Sequence, residues 1–100
     1  PTQDWTWDDY FDLVEKLTDS EQNRYGATYR GARGGFDIIL TYLQGFTEGA
    51  TFDADGKILI NSDECQEGFV RWTDMYKNGF APEDSINWGF AEMVDNFKGG

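Results

Sequence analysis

One hundred residues with a formal net charge of −11 and 39% hydrophobic content leave room for one compact unit at most, burying roughly 60–70% of the surface its unfolded form exposes. The acid excess excludes a general binder of nucleic acid or anionic membrane, because a polyanion would be repelled, and no apolar run approaches the ~20 residues of a membrane span. Twelve Gly, two Pro and 17% aromatic residues describe a folded chain, not a disordered one.

Trp7, Tyr10, Phe11, Val14 and Leu17 recur at helical spacing and predict a helix over 7–18. Thr6 precedes it and Asp9 follows three residues later, a capping-box pattern with Asp in place of Glu. Tyr25-Gly26-Ala27-Thr28-Tyr29 reads as a short strand, and Arg30-Gly31-Ala32-Arg33-Gly34-Gly35 as a loop. A second helix is expected over 35–46, with Phe36, Ile39, Leu40, Leu43 and Phe46 on one face. Asp55-Gly56, between Thr51-Phe52 and Ile58-Leu59-Ile60, is a hairpin-type signal.

Asn61 with Glu64 opens a third helix over 62–78, its face made of Cys65, Phe69, Trp72 and Tyr76, and Gly79 sits where a left-handed cap belongs. Pro82 breaks the chain, and Asp84 or Ser85 caps a fourth helix over 85–98 with Phe90, Met93, Val94 and Phe97 as its stripe. The start at Pro1 without Met and the stop just after an amphipathic pattern suggest a piece of a longer protein.

The chain has no His. That removes the commonest general acid–base group, the commonest zinc ligand and any Ser–His or Cys–His pair. The single Cys65 can form no internal disulfide and reads as a small buried helix residue. In Asp53-Ala54-Asp55-Gly56, calcium-loop positions 1 and 12 fall on Thr51 and Ser62, where Asp and a bidentate Glu are needed, so a tight turn is expected and not a metal site. Nineteen acids in 100 residues put carboxylate pairs at any chosen spacing, so no glycosidase pair stands out.

Two features invite a ligand. Residues 22–36 hold Arg24, Arg30 and Arg33 and no acid, whereas residues 1–21 hold seven acids and one Lys. The Arg pair in the Gly-rich loop is either a donor cluster for hydroxyl or carboxylate oxygens or a solvated answer to the acidic surface. On an ideal helix Trp88 points about 160° away from the stripe. It is either packed on another element or free to stack on a sugar face, with Asp84, Ser85 and Asn87 near enough to take hydroxyls.

The order of these pieces resembles the extracellular solute-binding proteins of ABC transporters, in their sugar- and polyol-binding branch. The residues that carry the likeness are Thr6-Trp7-Asp8-Asp9, Tyr25-Gly26, Tyr29 through Gly35, and Phe52 through Lys57. Asn61-Ser62-Asp63-Glu64, Asp74 through Gly79, Ala81-Pro82, Trp88 and Phe97-Lys98-Gly99 complete it. Asp4-Trp5 and Cys65-Gln66-Glu67-Gly68 depart from the pattern.

The resemblance implies a helix-dominated α/β fold. Residues 1–100 would be a single piece of the C-terminal lobe of a type II periplasmic-binding-protein-like fold, with about four helices and one or two short strands or a hairpin. It implies a non-enzymatic protein without cofactor that captures a sugar or polyol between two lobes. Delivery would be to ABC permease subunits, at the periplasmic or extracellular face of the cytoplasmic membrane. By the resemblance Tyr29, Arg30, Arg33 and Trp88 would face the ligand, and Asn87 joins them by its place beside Trp88. The rival readings are a fragment of a carbohydrate-active enzyme and a helical protein–protein module.

Overall fold

The computed structural model describes residues 3–99. Four α-helices form its framework: α1 (Trp7–Leu17), α2 (Gly35–Gln44), α3 (Asp63–Lys77) and α4 (Phe90–Gly99), with single 3₁₀ turns at Ser20–Gln22 and Glu83–Asn87. The expected β content shrinks to two isolated bridges, Asp19 with Arg24 and Phe52 with Ile58.

Local signals act as the chemistry dictates. The Thr6 hydroxyl accepts the Asp9 N–H at 3.2 Å, and the Asp9 carboxylate accepts the Thr6 N–H at 2.8 Å, which completes the capping box of α1. At the start of α3 the Ser62 hydroxyl accepts the Cys65 N–H at 3.3 Å, so the cap is Ser62 and not Asn61, the residue expected to open this helix. At its end the Gly79 N–H donates to the Tyr76 carbonyl at 3.0 Å and the Phe80 N–H to Met75 at 2.8 Å. With Gly79 at φ +77° this is a Schellman motif. Asp53 closes the 53–57 turn, its Oδ1 accepting the N–H groups of Asp55 (2.9 Å) and Lys57 (2.8 Å).

The expected strand at 25–29 pairs with no strand. Its Ala27 N–H donates to the Phe80 carbonyl at 3.1 Å, so the extended stretch is fastened to the segment after α3. The fourth helix also differs from expectation. Residues 83–87 form a 3₁₀ turn, Trp88 is extended, and α4 begins only at Phe90. The cause is tertiary: the Gly31 N–H donates to the Ser85 carbonyl (3.3 Å) and the Ala32 N–H to the Trp88 carbonyl (3.1 Å). A Cβ on Gly31 would lie 1.8 Å from the Ile86 carbonyl oxygen, so only glycine permits this approach.

Tyr42 is the centre of the core. Its ring meets Trp7 edge-on at 4.7 Å, Trp72 at 4.8 Å and Phe46 at 5.3 Å. Its hydroxyl donates to the Gly68 carbonyl at 3.0 Å. Val14, Cys65, Gly68, Met75, Ala81 and Ser85 are also buried. The helical spacing of α2 omitted Tyr42 and favoured Phe36, which is 68% exposed. On α3 Cys65 is buried as expected, together with Gly68 and Met75, whereas Phe69 stands exposed. A Cβ on Gly68 would lie 2.7 Å from the Phe46 ring, which would have to move to admit it. In the stripe of α4, Met93 and Val94 are half-buried, but Phe90 and Phe97 are 61% and 86% exposed. No other helix of the described residues packs closely along α4.

Candidate functional site

An open groove of about 420 Å³ lies where α1, α2 and α3 meet the Arg30 loop, lined by aromatic and polar side chains. Its size and its mostly apolar wall with a few polar groups suit a small organic molecule. Trp7, at the first position of α1, is 43% exposed and offers ring surface. Trp72 and Tyr42 form the wall behind it. From α2, Asp37 and Thr41 project into the same space, one helical turn apart.

Arg30 supplies the cation. It forms no ion pair within the described residues; the two salt bridges there are Arg71–Asp8 and Lys77–Asp74. Its Nε is buried without a hydrogen-bond partner. Its guanidinium carbon sits 5.7 Å from the centre of the Phe90 ring. Arg71 is committed elsewhere, lying 4.4 Å over the Phe11 ring and paired with Asp8. In a chain of net charge −11, an arginine left free of carboxylates beside a groove is the feature that most invites a ligand.

The five residues expected from the sequence separate. Arg30 lines the groove. Tyr29 packs edge-on against Trp72 (6.0 Å) and Tyr76 (5.8 Å), and its hydroxyl donates to the Trp72 carbonyl oxygen. Burial raises its pKa well above the ordinary tyrosine value, and burial also raises those of Tyr10 and Tyr42. Arg33 and Asn87 are exposed. Trp88 is half-buried, with its backbone tied to Ala32 and Ser85, and it is not part of the groove wall. It precedes α4, so its expected placement opposite the stripe of one continuous helix does not apply.

Trp7, Tyr42, Trp72, Asp37 and Thr41 were not singled out as site residues from the sequence. Trp7 and Trp72 lie on apolar helix faces, where spacing alone cannot tell a core ring from a groove ring.

A second groove of about 390 Å³ lies beside Leu43, Cys65, Phe69 and Val70, with Asn61 and Gln66 as its polar side chains and no charged one. Its Gln66 amide donates to the Asn61 carbonyl at 3.1 Å. Among the described residues no cluster of three or more His, Cys, Asp or Glu side chains could hold a metal ion.

No curated protein and no solved structure matches this chain. The family described as bacterial extracellular solute-binding protein matches it over residues 2–100. A groove with aromatic walls and one unpaired arginine is compatible with that assignment, and the match spans nearly the whole chain: it belongs to the bacterial extracellular solute-binding protein family.

Proposed function

We propose that residues 1–100 are part of the C-terminal lobe of a two-lobed protein that captures a sugar or polyol outside the cytoplasmic membrane and passes it to an ABC permease. The observation that carries this reading is the pairing of the aromatic wall of Trp7, Tyr42 and Trp72 with Arg30 and Asp37 in one groove. A sugar presents an apolar C–H face and a rim of hydroxyls, so it needs a ring to stack on, donors and acceptors. Trp7 offers the ring, Arg30 the donors and Asp37 the acceptor. Arg33, Asn87 and Trp88 add polar and aromatic surface from the loop junction, and Tyr29 holds Trp72 from behind. The second lobe would cover the open side. Binding of this kind uses no cofactor and makes or breaks no covalent bond.

The test uses the full-length protein. A thermal-shift screen against hexoses, hexitols and disaccharides should give at least one stabilising ligand. In titration calorimetry Arg30→Gln should then weaken that ligand by about 10- to 100-fold, the cost of losing about 1.4–3 kcal/mol of charge-assisted hydrogen bonding. Stabilisation by amino acids or peptides with none by any sugar or polyol would overturn the proposal.

A further inference from the structure

The arrangement around Arg30 depends on a residue that makes no polar side-chain contact of its own. Gly34 is the N-cap of α2, at φ +90° and ψ 1°. A Cβ built on it would lie 2.6 Å from both Cζ and Nη2 of Arg30 and 2.9 Å from Nη1. An edge-on approach between the two Nη atoms would bring them distinctly closer than Cζ. Near-equal distances put that Cβ over the flat face of the guanidinium, so the face is turned toward the space a side chain at Gly34 would fill.

The next residue repeats the constraint, since a Cβ on Gly35 would fall 1.9 Å from the Arg30 carbonyl oxygen. Two successive glycines therefore seat both ends of Arg30. Gly34 also lines the groove, so a side chain there would push the guanidinium into the space a ligand would use.

We propose that Gly34 is a positioning residue: it is the shelf that fixes the Arg30 guanidinium in its groove-facing orientation. Its importance for affinity rests on the solute-binding reading of that groove, whereas the shelf itself does not. A long flexible side chain held in place before binding loses less freedom when it meets its ligand. Gly34 should therefore act on affinity only through Arg30.

Gly49 supplies the control. It has a similar φ of +84°, but a Cβ there meets nothing within 4 Å. Gly49→Ala carries comparable backbone strain without touching Arg30.

The experiment compares Gly34→Ala, Gly49→Ala and the wild type in the full-length protein. The first readout is the rate at which phenylglyoxal modifies Arg30, followed by mass spectrometry, which needs no sugar. The rate should rise several-fold in Gly34→Ala and stay unchanged in Gly49→Ala. The second readout is affinity for the strongest sugar or polyol of the hexose, hexitol and disaccharide screen. Gly34→Ala should lower it at least 10-fold, and this effect should vanish in an Arg30→Gln background.

If Gly34→Ala does not fold, Gly34→Asn, a residue that tolerates positive φ, takes its place in both readouts; the stability lost on the substitution should be smaller in an Arg30→Ala background, where the clashing group is gone and only the strain at φ +90° remains, and an equal loss in the two backgrounds overturns the proposal. An unchanged modification rate in folded Gly34→Ala overturns it as well, and so does an affinity loss that persists without the arginine. A raised rate in a protein that binds no sugar or polyol upholds the shelf and removes only the carbohydrate reading.

Discussion

Tyr42 shows how one side chain can join three helices. Its ring takes Trp7 of α1 on one side and Trp72 of α3 on another, while its hydroxyl closes on the Gly68 carbonyl at 3.0 Å. That carbonyl belongs to a buried residue, so removing the donor leaves an acceptor with less compensation. Tyr42→Phe should cost about 1–2 kcal/mol, the range for a buried hydrogen bond with one partner deleted, with little change in ring packing. Urea unfolding of the two proteins checks this; equal midpoints would show that the hydroxyl is well served by solvent. Arg30 differs from Tyr42 in being constrained by shape, through Gly34, and not by a partner that bonds it.

The helices end where their flanking chemistry says. α1 begins at the reciprocal Thr6–Asp9 pair, and Thr6→Ala should destabilise by about 1 kcal/mol, as loss of an N-cap does. The Thr6 backbone N–H, with its hydroxyl second, lowers the Asp9 pKa below the ordinary aspartate value. A carboxyl depressed in the folded state contributes stability above its unfolded pKa, and that contribution is lost as pH falls through the folded value. Asp9→Asn should therefore flatten the loss of stability on the acid side of about pH 4. Denaturant melts at neutral pH and at successively lower pH read this directly, and a wild-type slope retained in Asp9→Asn would refute it. The 85–98 region behaves differently, because backbone bonds from Gly31 and Ala32 draw Ser85 and Trp88 out of helical geometry.

The whole molecule is elongated, with extents of 50 × 30 × 24 Å and a radius of gyration of 14.9 Å over the described residues. A compact domain of 100 residues would have about 13 Å. Phe36, Phe90 and Phe97 lie largely in solvent, and the groove is open on one side. Association costs several kcal/mol before any contact gains appear, and one wall offers a ring and a few donors against it. The isolated chain should therefore bind no mono- or disaccharide with micromolar affinity, whereas the full-length protein should. Titration calorimetry on both decides, and micromolar binding by the isolated chain would refute the two-lobed reading.

Much of this was legible in the residues alone. The boundaries of α1, α2 and α3 came within about two residues of the structure, because Thr6 and Gly79 act through neighbours three or four positions away; the cap of α3 fell one residue later than expected, on Ser62. The 53–57 turn was legible for the same reason. The family was legible too, because its short motifs keep their order along the chain. Arg30 could be singled out by charge, standing in an acid-free stretch of an acidic sequence.

What spacing could not supply was partnership at a distance. It placed Phe36, Phe69 and Phe90 inward, when Tyr42, Gly68 and Met75 are the buried ones, since helical period gives a face but not what lies against it. It made Trp88 part of a helix that a loop fifty residues earlier unwinds. It left Trp7, Asp37 and Trp72 unrelated, although they share a groove, because only the packing of α1, α2 and α3 around Tyr42 brings them together.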